Sequence, residues 1–285
     1  MQAFMEKNIA ILCNPLAGVG KAITLAEQIA KELGQKQIRY SLIFENWPNN
    51  FEGFTDIWIA GGDGTLNYFI NYCPDIRLPL VIFKGGTGND FHWLLYGNKT
   101  FEQQLDIGLI GDPKPIDSGK CNDRYFLNDV GIGFEGAVAK ALTGKKKHLG
   151  KTSFLITILK KIFSYRSKEY KIKSAEINFK GRKLLIDINN GCRAGGGFHV
   201  APEARADDGL FDVVMAKPLN SMKRLMYLPV IEKGKHIDKE YIHHFHTKRI
   251  KIESDSIIQY HLDGEYYEED SIVIEMLEGK LLFRY

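Results

Sequence analysis

The chain has 285 residues, of which 44% are hydrophobic and 26% charged, with a formal net charge of +3. This length gives ample core for one large domain or two modest ones, and the composition is that of an ordinary globular protein. The near-balanced charge argues against nucleic acid as a partner. Cys13, Cys73, Cys121 and Cys192 form neither a Cys-x-x-Cys pair nor a disulfide-like framework. There is no basic-then-apolar leader and no run of about 20 apolar residues that would span a bilayer. The expectation is a cytoplasmic protein with reduced thiols that would reach any lipid from the water side.

In chain order, the first part alternates strand and helix. Residues 9–13 read as a short buried strand, followed by a turn over 14–20 and an amphipathic helix over 21–33. Residues 38–44 and 57–60 are further strands, 66–72 a helix and 78–83 a fourth strand. Continuous apolar strands between helices predict a parallel sheet covered on both faces, with ligands at the carboxyl ends of its strands. From about residue 113 the segments become longer and alternating. Residues 175–180 and 184–190 pair around a turn at Gly181, and further strands follow at 211–217, 249–253, 257–262, 272–277 and 281–285. Helices interrupt them near 134–142, 152–164 and 222–233, so the second part reads as mainly antiparallel β.

The most informative segment is Gly61-Gly62-Asp63-Gly64-Thr65-Leu66-Asn67, directly after an apolar strand. Glycines let backbone approach an anion closely, and a helix start at Thr65 offers unpaired N–H groups with positive dipole character. A carboxylate beside a polyphosphate is repulsive unless a cation or a proton transfer compensates, so Asp63 points to nucleotide with Mg²⁺. The plainer alternative is a glycine-rich connection with Asp63 capping the helix. Two more turns lie at strand ends: Asn14-Pro15-Leu16-Ala17-Gly18-Val19-Gly20-Lys21, which lacks Walker A spacing, and Gly85-Gly86-Thr87-Gly88-Asn89-Asp90. Together the three look like one composite nucleotide pocket.

The second half carries three further clusters. Asn190-Gly191, Ala194-Gly195-Gly196-Gly197-Phe198, Ala201-Pro202 and Asp207-Asp208-Gly209 form either a flexible loop and a plain turn, or a metal site of carboxylate and backbone oxygens. Leu262-Asp263-Gly264-Glu265 holds a strong hairpin signal, and an acid on each side of the glycine is compatible with a general base. His244 and His246 share one face of a strand and His243 points away, but no carboxylate or Cys stands near them at useful spacing, so a metal site is not expected there. Residues 140–173 are strongly basic, with Glu169 their only acid. They form either a buried helix with a solvated basic face or a surface for anionic lipid headgroups.

Taken together these motifs resemble the diacylglycerol kinase catalytic-domain family, the soluble bacterial lipid kinases related to sphingosine and ceramide kinases. The resemblance covers nearly the whole chain. It is carried by Asn14-Pro15, Gly18 and Gly20-Lys21, by the Gly61–Asn67 segment, and by Gly86-Thr87-Gly88-Asn89-Asp90. Asn128-Asp129-Val130-Gly131-Ile132-Gly133-Phe134, Gly195-Gly196-Gly197-Phe198, Ala201-Pro202, Asp208-Gly209 and Leu262-Asp263-Gly264-Glu265 complete it. It implies an α/β N-terminal nucleotide-binding domain over residues 1–115, three-layered with a mostly parallel sheet. It further implies a mainly antiparallel β-sandwich C-terminal domain over 116–285, with a return of the last strand to the first domain left open and a cleft between the two.

The resemblance also implies ATP and Mg²⁺, and a lipid acceptor such as diacylglycerol. Asn14, Gly61, Gly62, Asp63, Gly64, Thr65, Asn67 and Thr87 would contact ATP. Glu265 would be the proton acceptor, with Asp263 a rival, and Asp63 would organise Mg²⁺ or phosphate. Asp208 would ligate a metal, joined by backbone oxygens of Arg205 and Leu210. Tyr68 stands where the family often has Glu, and Lys84 where it often has Pro or a small residue. Such a reaction works by positioning and charge neutralisation, with the base contributing about 10²–10⁴-fold. A homodimer and peripheral contact with the inner membrane face are compatible with this reading. The alternatives are another kinase with the same glycine-rich loop, such as an NAD kinase, and a non-catalytic lipid- or nucleotide-binding relative.

Overall fold

The computed structural model describes residues 7–144 and 150–285; Lys145, Lys146 and Lys147 of the basic segment lie outside the described residues. The chain divides into two compact units, one running to Ile116 and taking in Gly279–Tyr285, the other Asp117–Glu278.

In the first unit β1 (Asn8–Cys13) leads through a 3-10 turn at Ala17–Gly20 into α1 (Lys21–Gln35). Then come β2 (Arg39–Ile43), β3 (Asp56–Gly61), α2 (Asp63–Tyr72), β4 (Leu80–Lys84), α3 (Asp90–Tyr96) and α4 (Phe101–Ile110). The strands lie in the order β4-β3-β1-β2, all parallel, and the chain end adds a parallel neighbour to β4, with Phe283 beside Leu80. Residues 9–13, 57–60 and 80–83 are buried on both faces, which is why they read as unbroken apolar runs. Helix α1 buries Ala22, Ala26, Ile29, Ala30 and Leu33, one stripe of a 3.6-residue period. Gly108 of α4 leaves room for the Trp58 indole, 2.9 Å from where a Cβ would stand. The buried Asp56 at the start of β3 binds Lys7 at 3.2 Å and Arg284 at 2.5 Å, tying the chain end to this sheet.

Two of these helices, α3 and α4, were not expected. Helix α4 opens on a capping box, Thr100 bonding the Gln103 N–H while the Gln103 side chain returns to the Thr100 N–H.

The second unit begins within β5 (Pro113–Cys121). It continues through β6 (Arg124–Phe126), β7 (Asp129–Gly133), α5 (Phe134–Leu142), α6 (Gly150–Ser164), β8 (Lys168–Ser174), β9 (Asn178–Lys183), β10 (Leu185–Asn189) and β11 (Phe211–Ala216). It closes with α7 (Ser221–Glu232), β12 (Ile242–Thr247), β13 (Arg249–Leu262) and most of β14 (Glu265–Arg284). Its strands run β12-β11-β10-β7-β13-β14, with β8 and then β9 beside the first half of β13. Every pairing among them is antiparallel. The two strand segments expected at 249–253 and 257–262 are one strand. A register shift between Glu253 and Ile258 lets its first half pair with β8 and its second half with β7. Alternate residues of these strands, among them Val130, Ile132, Ile186, Ile188, Val213, Ile250, Tyr260 and Ile272, meet in one buried cluster, the core of a β-sandwich-like domain.

The turn expected at Gly181 lies elsewhere. Gly181 sits inside β9 at φ 157°, and the chain reverses between β8 and β9, where Ser174 Oγ accepts the N–H groups of Glu176 and Ile177.

Candidate active site

In the first unit the three glycine-rich turns leave the carboxyl ends of β1, β3 and β4, neighbouring strands of one sheet. Their glycines are what lets them touch. A Cβ on Gly62 would stand 2.7 Å from Gly86 Cα, one on Gly86 2.5 Å from Gly62 Cα, and one on Gly18 2.2 Å from the Gly85 carbonyl oxygen. All three distances are below any real Cβ contact, so the turns interlock as bare backbone. Gly85 N–H donates to the Gly61 carbonyl at 2.8 Å, and the Asn14 amide reaches Thr65 Oγ1 at 3.2 Å. Asn89, at φ 57°, closes the third turn by pairing its side-chain amide with Gly86 N–H and C=O, both at 2.8 Å.

Helix α2 starts at Asp63, two residues before the expected Thr65, because the Gly62 carbonyl already accepts the N–H groups of Thr65 (2.9 Å) and Leu66 (3.1 Å). The Asp63 carboxylate accepts the N–H of Asp90 at 3.0 Å and of Phe91 at 3.1 Å, the first turn of α3. One acid thus joins the second turn to the third. Thr65 and Asn67 are buried, while Gly64 and Thr87 are exposed. Tyr68 is exposed on α2, stacked on Tyr72 and edge-on to Trp47, and Lys84 is exposed at the end of β4.

In the second unit Asp263 and Gly264 form the tight turn between β13 and β14, at φ 48° and 87°. The Asp263 carboxylate accepts three backbone N–H groups, from Leu127 (2.9 Å), Asn128 (2.7 Å) and Asp129 (3.1 Å). It is therefore the anchor of the chain entering β7. Glu265, half-buried, is the first residue of β14, opposite Leu262.

Beside this hairpin lies a group the sequence reading assigned no role. Gly131 of β7 is flanked by Asp187 of β10 and His261 of β13. A Cβ on Gly131 would stand 2.3 Å from both Glu135 Oε2 and His261 Nε2, so glycine makes room for the two side chains. His261 Nε2 lies 3.8 Å from Asp129 and 3.9 Å from Glu135, and its Nδ1 accepts the Gly264 N–H at 3.2 Å. Burial pushes the Glu135 carboxyl up to about 7, with His261 opposing and Asp129 adding to the rise. Burial first, then Glu135 and Asp129, hold Asp187 well above the usual carboxylate range, and burial lowers His261. Signals for these residues were present: Asp187 interrupts an apolar strand, and Glu135 directly follows the Gly131–Phe134 motif.

Glu135 and Asp187 also line a pocket whose other walls are mostly apolar, including Phe134, Ile162, Val214 and Leu228. In the loop before β11, Asp208 is exposed and its Oδ1 accepts the Leu210 N–H at 3.1 Å. The Arg205 side chain binds Asp207 at 3.1 Å, and the buried Asp117 fixes the loop through Gly209 N–H at 2.7 Å.

Residues 8–121 match the family described as the diacylglycerol kinase catalytic domain, and residues 128–282 the YegS C-terminal NAD kinase beta sandwich-like domain. A Shewanella frigidimarina protein named "Probable lipid kinase YegS-like" is 29% identical over 231 residues, 79% of this chain and 74% of that one. A Bacillus subtilis protein named diacylglycerol kinase is 30% identical over 217 residues, 75% of this chain and 72% of that one. A crystal structure described as a diacylglycerol kinase of Bacillus anthracis matches with a TM-score of 0.77 at 25% identity, covering 98% of this chain and 97% of that one.

Proposed function

The chain belongs to the diacylglycerol kinase and YegS-like lipid kinase family, and from that premise we propose that it transfers the γ-phosphoryl group of ATP to a lipid hydroxyl, with diacylglycerol the first acceptor to test. The observation that carries this reading is the interlocking of three strand-end turns through Gly18, Gly62, Gly85 and Gly86. Such bare backbone at the start of a helix is suited to polyphosphate, because N–H groups and the helix dipole both favour negative charge.

In this account Gly61, Gly62, Gly64, Thr65 and Thr87 face the ATP phosphates, with Asn14 holding Thr65 in place. Asp63 keeps the second and third turns in fixed relation through Asp90 and Phe91. Mg²⁺ accompanying ATP neutralises charge on the transferring group. A carboxylate and backbone carbonyls are hard oxygen donors, so Asp208 with the carbonyls of Arg205 and Leu210 suits a divalent cation of that kind.

On the acceptor side, the lipid hydroxyl oxygen attacks the γ-phosphorus, the bond to ADP breaks, and the hydroxyl proton passes to Glu265. Asp263 is the poorer base, since three amides already occupy its oxygens. The apolar cavity takes the acyl part, with the glycerol oxygens toward Glu135 and Asp187, whose raised affinity for protons lets them donate hydrogen bonds.

No helix among the described residues is long and apolar enough to cross a membrane. Helices α6 and α7 do expose Leu155, Ile156, Phe163, Met222, Leu225 and Met226 beside exposed Lys160 and Lys223, an arrangement suited to an anionic bilayer surface where the lipid is found. The test is incubation with radiolabelled ATP and Mg²⁺, separately with diacylglycerol in micelles, total lipid extract and NAD. Label in lipid is expected; label in NAD alone, or in no acceptor while ATP still binds, would set the proposal aside.

A further inference from the structure

Among the described residues, two groups of histidine and carboxylate side chains bring ligand atoms within 4.8 Å of one another. One, Asp129, Glu135 and His261, belongs to the site above. The other is Asp212 of β11 with His244 and His246 of β12. Along the chain no acid stands near His244 and His246 at useful spacing. Asp212 is more than 30 positions away, yet the antiparallel register sets it directly opposite His246, with His244 two residues along on the same face.

Both imidazole Nε2 atoms converge on a single oxygen, Asp212 Oδ1, at 2.7 Å from His244 and 3.3 Å from His246. The two rings stand 5.0 Å apart at 68° to one another, edge to face. The Asp212 side chain is 3% exposed, so its charge requires a close counter-charge, whereas the His246 ring is 50% exposed and leaves one side of the group open to solvent. The Asn189 amide fixes the Asp212 backbone carbonyl at 3.2 Å, and all the donors lie on paired strands, so little reorganisation separates them from a common centre.

We propose that Asp212, His244 and His246 bind one divalent transition-metal ion, with zinc(II) the best match and water completing the coordination. Two imidazoles and a carboxylate with one open position are a recurrent zinc donor set, and bonds of about 2.0–2.2 Å place tetrahedral ligand atoms about 3.3 Å apart, close to the spacings found here. Mg²⁺ prefers oxygen ligands, so this site is chemically distinct from one serving ATP. The ion cross-links β12, the last strand on its side of the sheet, to β11 and displaces the protons that the two imidazoles otherwise direct at Asp212.

The full chain, stripped with a chelator, is titrated with zinc chloride by calorimetry and with cobalt(II) by visible absorption. The expected result is saturation at one ion per chain, proton release on binding, and cobalt bands of tetrahedral intensity. His246→Ala, at an exposed ring, should weaken zinc at least about tenfold. His244→Ala combined with His246→Ala should abolish saturable binding, with an unchanged circular dichroism spectrum. If the double variant does not fold, His246→Gln with the same titrations decides. Absence of saturable zinc binding, unchanged affinity in the variants, or full displacement of zinc by millimolar Mg²⁺ would overturn the proposal.

Discussion

Substituting Gly62 by alanine perturbs the close approach of two turns and little else. The Gly62 backbone, at φ −116° and ψ −170°, is open to any residue, so no backbone strain enters. The new methyl would stand 2.7 Å from Gly86 Cα, about 1 Å inside an ordinary carbon–carbon contact. The turn after β3 must then move away from the turn after β4, at an overpacking cost of about 1–3 kcal/mol. If the two turns hold the same phosphates, a displacement of that size should weaken ATP binding at least about tenfold, or 1.4 kcal/mol. Gly86→Ala should act likewise. Gly53→Ala is the control: at φ 82° it carries backbone strain of about 1 kcal/mol, but a Cβ there meets nothing within 4 Å, so ATP affinity should hold. Thermal unfolding and calorimetric titration with Mg²⁺-ATP give both readouts. Wild-type ATP affinity in Gly62→Ala would refute the reasoning that these glycines build a phosphate cradle.

Four further outcomes are expected. Asp263→Ala, which strands the N–H groups of Leu127, Asn128 and Asp129, should destabilise the second unit by about 3 kcal/mol. Glu265→Gln, a change of charge with little change of shape, should leave the melting temperature within about 4 °C, while lipid phosphorylation falls at least about 10²-fold; differential scanning calorimetry beside the kinase assay separates the two. Because the Glu135 carboxyl is raised from 4.5 to about 7 in the folded chain, folding favours its protonated form. Its stabilising contribution is complete below 4.5 and lost as pH rises through about 7, so stability should decline over that window, and Glu135→Gln should flatten the slope. Phe163→Asp with Met226→Asp, both at exposed positions, should weaken sedimentation with anionic vesicles at least about tenfold, each apolar ring or chain contributing up to about 2 kcal/mol. Phosphorylation of micellar lipid should be retained, and vesicle binding equal to wild type would argue against docking by α6 and α7.

What could be read in advance follows a physical divide. Residues 9–13 and 57–60 announce buried parallel strands because no position in them faces water, and Gly61–Asn67 announces close backbone approach, which Gly62 makes with Gly86. The partners of the acids were hidden. Asp63 bonds Asp90 and Phe91, Asp263 bonds the chain around Asn128, and Asp212 meets His244, all through contacts made only when distant segments pair in the sheet. Asp263 reads as a rival of Glu265 for the base and Asp63 as an organiser of Mg²⁺ or phosphate; both carboxylates also accept backbone N–H groups of distant segments. Helix α3 escaped notice for the same reason: Asn89 at its start makes no side-chain cap, and the carboxylate that does comes from another turn. Gly181 looked like a hairpin turn because glycine is common there, although the Ser174 hydroxyl supplies the actual reversal.

The most direct test of the central claim is mass spectrometry of the product formed from defined diacylglycerol and Mg²⁺-ATP by the wild-type chain and by Glu265→Gln, with ATP affinity measured on both. The account predicts a singly phosphorylated lipid from the wild type, loss of that product in Glu265→Gln, and equal ATP affinity. An unphosphorylated lipid from a wild-type chain that binds ATP, or undiminished product from Glu265→Gln, would contradict it.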